Sequence, residues 1–378
     1  VTGERSPLVS IVTPFYNTAE YLAECIESVL AQTFEDFELL LVNNCSTDGS
    51  DRIAREYAAR DSRIRVIDNP QFVGQVENYN GALRQISPRS AYVKVVQADD
   101  WIYPECLARM VDLATANPRV GIVGAYYVQG TRVVGWGLDP AVTTLSGKEA
   151  SRGSLLGEMA IFGTPSTLLY RADIVRSRNP CYAEGRMHED SEMVFEVLAD
   201  WDFGFVHQVL SFVRVTEDSI TGRSRAFNWR VLDVHLLVRT FGERFLAPTE
   251  YVARLRGAEV DHMQYLGECA LFLREQALWE YHAKGLATIG ERIRPIRLAP
   301  YVGRAALKAI ARPGWAKETW ELRQHLRREA RRTGETASAA YPSPPSPAAT
   351  EEIRDGGGAG GGPSSSAPGS VASSGRTT

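Results

Sequence analysis

Short apolar runs that stop abruptly at polar residues organise the first part of the chain. V-S-I-V-T at residues 9–13 gives way to P-F-Y-N at 14–17. E-L-L-L-V at 38–42 gives way to N-N-C-S-T-D at 43–48, and Y-V-K-V-V at 92–96 gives way to Q-A-D-D at 97–100. Runs of this length, rich in β-branched residues and bounded by turn formers, predict buried parallel strands. A further strand is predicted at 63–67. Between the strands, apolar residues recur at helical spacing: Leu22, Cys25, Ile26, Val29 and Leu30; then Ile53 and Tyr57; then Val76, Tyr79, Leu83 and Ile86; then Leu107, Met110, Val111 and Ala114. Thr18 and residues 47–50 offer N-caps, residues 69–74 form a turn, Pro104 suits a first helical position, and Asn117-Pro118 ends a helix. This βαβαβ order predicts a mainly parallel, Rossmann-like sheet flanked by helices and wound with right-handed crossovers. In open α/β sheets ligands gather at the carboxyl ends of the strands, where all three polar clusters fall.

The alternation continues less regularly. Residues 120–128 and 131–136 read as strands, with a hairpin as one arrangement. Ser146 and Glu149 have capping-box spacing. Residues 166–170, 203–206 and 209–213 read as short strands, and 191–199 as a helix led by Glu189-Asp190. The pattern turns helical from about residue 225 to 332, and 291–332 holds 12 Lys/Arg against 4 Asp/Glu. Residues 334–378, rich in Gly, Ser, Pro and Ala, carry too little apolar surface to offset ordering, and disorder is expected. The expected division is a catalytic domain at 1–220, a C-terminal helical extension at 221–333 and a tail at 334–378.

Composition narrows the function. With 378 residues and 44% hydrophobic content the chain can bury a sizeable core, and a formal charge of −4 gives no electrostatic case for nucleic acid. The cysteines, Cys25, Cys45, Cys106, Cys181 and Cys269, are scattered without zinc-like or CxxC spacing, so reduced thiols are expected. The N-terminus shows no signal-peptide pattern and no apolar run approaches a membrane span. A cytoplasmic protein is therefore expected, with peripheral contact at the inner membrane face as an extension.

The motifs, taken together and in order, resemble those of family 2 glycosyltransferases with the GT-A fold, over residues 8–215. The opening strand and its P-F-Y-N loop, the helix Y-L-A-E-C-I-E-S-V-L-A-Q-T-F at 21–34, and L-V-N-N-C-S-T-D-G-S at 41–50 match in sequence. The last is usually written VDDGSTDGS. Q-A-D-D-W at 97–101 resembles the DxD region, and H-E-D at 188–190 the acidic catalytic motif. The resemblance implies an inverting, metal-dependent transfer of sugar from a nucleotide-sugar to a hydroxyl acceptor, in cell-surface polysaccharide or glycolipid assembly. It assigns Mg²⁺ or Mn²⁺ to Asp100, and the donor to Thr13, Pro14, Phe15, Tyr16, Asn43, Ser46, Asn80 and Asp99. The general base falls on Asp190, with Glu189 beside it. The chemistry agrees: a departing diphosphate gains charge that a carboxylate-held cation neutralises, and an attacking hydroxyl needs a base.

Three positions depart from the family pattern. Asn43 stands where an acid usually accepts from the base, Gln97 opens the DxD region, and Tyr79 replaces an arginine that can meet phosphate. Plainer readings stay open for each cluster. Asp99-Asp100 and Glu189-Asp190 both suit acidic helix N-termini, Asn43 suits a turn, and His207 reads as structural. The glycines near 121–124 read as close packing. The basic segment 291–332 fits a solvated helical face as well as an anionic membrane surface near a lipid-linked saccharide acceptor. Two other functions compete: a nucleotidyltransferase, whose Gly-rich opening loop is missing, and a non-catalytic nucleotide-sugar-binding assembly or sensor protein.

Overall fold

Strand residues of alternating parity point to opposite faces of a sheet, and here both faces are apolar. The computed structural model describes residues 7–185, 188–215, 228–272, 276–321, 324 and 328. In β1 (Val9–Phe15), Val9, Ile11 and Phe15 enter one core, while Val12 enters a second core on the other side. In β2 (Phe37–Asn43), Phe37, Leu39 and Leu41 join the first core and Leu40 and Val42 the second. Each fully buried leucine contributes about 2 kcal/mol of transfer free energy. A one-residue slip would exchange the two sets.

The helices supply the facing halves. The first core is closed by α1 (Leu22–Leu30) and α4 (Cys106–Ala116) through Leu22, Cys25, Ile26, Val29, Leu107 and Met110. The second is closed by α3 (Gln75–Leu83) and α7 (Glu189–Leu198) through Tyr79, Ala82, Leu83, Met193, Val194 and Val197. The edge helix α2 (Ser50–Ala58) begins where Asp48 accepts the Ser50 N–H at 3.0 Å.

The remaining strands are β3 (Ile64–Asp68), β4 (Tyr92–Val95), β5 (Trp101–Ile102), β6 (Val120–Gln129), β7 (Arg132–Val134), β8 (Thr144–Leu145), β9 (Leu169–Arg171) and β10 (Asp202–Val213). They give one sheet in the order β3-β2-β1-β4-β9-β6-β10-β5, with β7 on β6 and β8 on β10. β3, β2, β1 and β4 pair in parallel, as do β6 and β10, and the short β9 joins the two blocks by antiparallel pairing to β4 and β6. The two late strands expected from the sequence are one strand, β10, whose register shifts between Val206 and Val209. β6 and β7 form the hairpin. Gly121 and Gly124 are sites of close packing: a Cβ there would lie 2.6 Å from Trp201 Cβ and 2.8 Å from Phe203 Cζ. The capping box of α5 (Gly147–Leu156) is present, with Ser146 and Glu149 each accepting the other's backbone N–H. Thr18 does not cap by its side chain; its carbonyl accepts the N–H groups of Tyr21 and Leu22.

Beyond the sheet come α8 (Trp229–Phe245), α9 (Pro248–Phe272), α10 (Gln276–Thr288) and α11 (Pro295–Ala311); the short α6 (Ala172–Arg176) precedes α7. α8 packs on α5 and α7 through an aromatic cluster, in which Phe195 and Phe241 stack with centroids 5.1 Å apart. Tyr265, Leu266 and Cys269 of α9 bury Leu298 of α11. Among the described residues no helix is long and apolar enough to cross a membrane. The predicted tail at 334–378 and the end of the basic segment, 329–332, lie outside the described residues.

Candidate active site

Parallel pairing brings the ends of β1, β2 and β4 side by side, and their loops are cross-stitched. Asn17 N–H donates to Ser46 Oγ at 3.1 Å, Thr47 N–H to Asn17 Oδ1 at 2.8 Å, Thr18 N–H to Ser50 Oγ at 2.9 Å and Ala19 N–H to Asp48 Oδ2 at 2.8 Å. The loop after β1 is thus fixed to the loop after β2. Thr13, Pro14 and Phe15 are buried within the strand, Phe15 in the core, so they shape the floor of the site. Tyr16 is half-buried and meets Phe72 edge to face, with centroids 4.8 Å apart. Phe72 was not singled out by its sequence context.

Asn43 has a structural reason. Its amide donates to Asp68 Oδ1 at 2.9 Å and its carbonyl accepts the Ser46 N–H at 2.9 Å. The acid missing at position 43 stands one strand away, at Asp68, where hydrogen bonds from Asn43 and Arg55 hold the carboxyl below its ordinary range. Asn44 holds the turn at 69–74 by accepting the Val73 N–H at 3.0 Å and donating to Val73 O at 2.9 Å.

At the end of β4, Asp100 is 2% exposed and Asp99 is half-buried. Asp100 accepts from Ser166 Oγ at 2.5 Å and from the backbone N–H of Arg214 at 2.9 Å. Burial, then the neighbouring Asp99, push the Asp100 carboxyl up to about 7. Burial also raises Asp99. Arg214, just past β10, donates from Nε to the Asp99 carbonyl at 2.9 Å, pairs with Glu24 and lies over the Tyr21 ring at 4.5 Å. Sequence reasoning missed Arg214 and Ser166. Only the topology brings them to the acidic pair. Two crowded carboxylates disfavoured as anions by burial form a hard oxygen donor set, and each retains lone pairs beyond its hydrogen bonds. That set fits Mg²⁺ or Mn²⁺ with phosphate oxygens completing the shell.

The second acidic cluster opens α7. Asp190 is half-buried and accepts the Ser191 N–H at 2.7 Å. Burial pushes Asp190 up. Burial, then Asp190, push Glu189 up to about 7. The charge of Asp190 also acts on Tyr127 of β6 and Tyr170 of β9, so the cluster faces the strands that flank Ser166. His188 is 8% exposed; its Nδ1 lies 3.1 Å from Asp233 Oδ1 on α8, and its Nε2 is buried without a hydrogen-bond partner. Burial holds His188 down to about 4, and burial, then Asp190, push Asp233 up to about 8, so neutral forms are favoured for both near pH 7. Asp233 is a further residue that nothing in its local sequence marks out.

Asn80 is 2% exposed and clamps the chain ahead of this cluster: it donates to Tyr182 O and accepts the Tyr182 N–H, both at 2.9 Å. Tyr79 packs edge to face on Tyr182 at 6.0 Å. His207 is structural, held by Tyr126 Oη at 3.0 Å and Val142 O at 2.8 Å. A surface groove of about 840 Å³ along α9, lined by Pro248, Val252, Arg256 and Val260 among others, shares no residue with the acidic clusters.

A mostly parallel sheet with acidic clusters beyond β4 and at the start of α7 defines a GT-A type transferase fold. A solved structure of S. aureus TarS 1-349 in complex with UDP-GlcNAc has the same fold, at TM-score 0.56 and 16% identity over 89% of this chain and 93% of that one. Residues 10–178 match the family model for glycosyl transferase family 2. The uncharacterized glycosyltransferase EpsJ of Bacillus subtilis is 38% identical over 126 residues, 33% of this chain; the match spans only 36% of the length of EpsJ. EpsE of the same organism is 26% identical over 254 residues, 65% of this chain and 86% of that one.

Proposed function

We propose that the chain is an inverting, divalent-cation-dependent glycosyltransferase that moves a sugar from a nucleoside-diphosphate donor to a hydroxyl of a saccharide or lipid-linked acceptor. The observation that carries the reading is the crowding of Asp99, Asp100 and Arg214 at the end of β4, with Asp190 leading α7 behind the adjoining strands. Asp100 and Asp99 would hold the cation, which when bound supplies charge neutralisation for the diphosphate. Arg214 stands in for the arginine missing at position 79 as a cationic partner for phosphate. Tyr16 and Phe72 offer an aromatic wall to the base, and Asn43 acts through the loop it holds rather than as a lone acceptor.

In this reading Asp190 takes the proton from the acceptor hydroxyl while its oxygen bonds to the anomeric carbon. The bond from that carbon to the phosphate oxygen breaks with its electron pair, and the diphosphate leaves from the opposite face. A base raised by burial is better matched to a hydroxyl proton than an ordinary aspartate. His188, backed by Asp233, fixes the first turn of α7. The bound UDP-GlcNAc of the TarS structure makes uridine donors the first to test. Melting temperatures with a panel of nucleotide-sugars, with and without Mn²⁺, test the reading. A cation-dependent rise with one donor, followed by turnover with an acceptor, is the expected result. Binding without turnover across acceptors would favour a sensor instead.

The acceptor end of the proposal is a membrane surface. Ile296, Leu307 and Ile310 of α11 are 81%, 70% and 77% exposed. At 3.6 residues per turn they fall within about 60° of one another. Leu298 and Ala305 are buried on the opposite side, and Arg297, Arg304 and Lys308 line one edge of the exposed stripe. An exposed apolar stripe edged by cations is the pattern of an interfacial helix.

A further inference from the structure

Three histidines with 0% exposure, His235 of α8, His262 of α9 and His282 of α10, form a chain of ring nitrogens away from the acidic clusters described above. His235 Nδ1 lies 3.1 Å from His262 Nδ1, and His262 Nε2 lies 2.9 Å from His282 Nδ1. A neutral imidazole has one donor and one acceptor nitrogen. The protons along the chain must therefore all point one way or all the other.

The outer end of the chain is His235 Nε2. It is buried and has no hydrogen-bond partner, on a side chain 1% exposed. It faces two half-buried carboxylates, Glu259 of α9 and Glu291 just after α10, and one ligand atom from each of the three residues lies within 4.8 Å of the others. Glu291 Oε2 is 3.8 Å from the nitrogen, too far for a hydrogen bond. Two ligands each about 2.0–2.1 Å from one tetrahedral ion are roughly 3.4 Å apart, so a small closing movement would bring both onto a cation. The other oxygen of Glu291, Oε1, faces Arg239 Nε at 3.7 Å. Arg239 thus turns one oxygen of Glu291 outward and leaves the other toward the histidine.

We propose that His235 Nε2, Glu259 and Glu291 form a structural site for a divalent transition ion of the Zn²⁺ class, with water in the fourth position. One imidazole and two carboxylates are a donor set that Zn²⁺ accepts. An ion on Nε2 sets the proton order of the whole chain: His235 Nδ1–H donates to His262, and His262 Nε2–H donates to His282. This is the outer support that a metal-bound histidine requires. The site joins α8, α9 and the turn after α10. Asp233, which faces His188, lies two residues from His235 on α8, so the ion holds the helix that backs the second acidic cluster. The alternative is the reverse proton order, with His235 Nε2–H directed at Glu291 and no ion.

The test uses the full chain, stripped with chelator, given Zn²⁺ and desalted, with metal content measured by mass spectrometry. The parent should retain about one equivalent of Zn²⁺ and gain melting temperature, and Co²⁺ in its place should show the intense visible absorption of four-coordinate cobalt. E259Q/E291Q should lose retained metal, the melting gain and the cobalt spectrum, with an unchanged far-ultraviolet circular dichroism spectrum. Asp100→Asn should keep all three, which separates this site from the one beside β4. A parent that keeps no Zn²⁺ after desalting, or an E259Q/E291Q chain that keeps as much as the parent, overturns the proposal. None of these readouts depends on glycosyl transfer.

Discussion

Asp100 accepts a hydrogen bond from the backbone N–H of Arg214 at 2.9 Å, across 114 residues of sequence. The end of β4 and the end of β10 therefore meet at one carboxylate. That carboxylate is pushed up to about 7 from the 3.8 of an ordinary aspartate. The folded chain keeps a proton there that the unfolded chain has lost, so this group's contribution to stability declines as pH rises from about 4 to about 7. A cation on the carboxylate opposes that loss. The rise in melting temperature caused by Mn²⁺ should be larger at about pH 8 than at about pH 5.5, and Asp100→Asn should remove it. An equal rise at both pH values would count against Asp100 as a ligand.

Asp190→Asn should leave the donor-dependent rise in melting temperature in place and lower the transfer rate by about 10³-fold, within the range for loss of a general base. Glu189→Gln should cost less, because Glu189 is assigned no proton. Single-turnover rates at saturating donor decide this. Parental rates in the Asp190→Asn chain would remove the assigned base.

Asn43→Asp places a second carboxylate against Asp68, where an amide now donates at 2.9 Å. Stability to urea at neutral pH should fall by about 1–2 kcal/mol. Adding Asp68→Asn restores an amide–carboxylate pair in the reverse sense and should recover most of the loss. If Asn43→Asp is neutral alone, the hydrogen bond is not what selects asparagine.

Lys94 of β4 is fully buried, with Nζ near Leu168 O at 3.4 Å and Met110 Sδ at 3.8 Å and beside Cys106. Burial lowers its pKa. The unfolded chain therefore binds that proton more readily than the folded one, and stability is lost as pH falls below the ordinary lysine range. Lys94→Met should raise stability by about 1 kcal/mol at neutral pH, and by less near pH 10. Denaturant titrations at both pH values test the sign.

Replacing Ile296, Leu307 and Ile310 together by Ser should abolish sedimentation with anionic vesicles at low salt while leaving melting temperature nearly unchanged, since all three are exposed. Parental protein that stays in the supernatant with vesicles present would dispose of the membrane surface.

The strands were legible because each is an apolar run cut off by turn formers, and the Ser146 cap because its partner lies three residues away. The joining role of β9 was not, because Leu169–Arg171 is too short to show a period and its antiparallel sense depends on both neighbours. Within the candidate site, Asp99, Asp100 and Asp190 stood out as acids at predicted element ends. Ser166, Arg214 and Asp233 did not. Each lies in an ordinary local context and gains its importance from a contact 66 residues away for Ser166, 114 for Arg214, and through His188 for Asp233. Asn43 read as a loss of an acid until pairing with β3 put Asp68 beside it.

The two-way clamp of Asn80 on Tyr182 ties α3 to the segment that precedes α7. α3 cannot shift without drawing residues 180–185 along, and these run toward His188. Under the proposed function, a donor that steadies α3 would also steady the segment leading to the proposed base. On that proposal, donor before acceptor is the order a single amide side chain would favour.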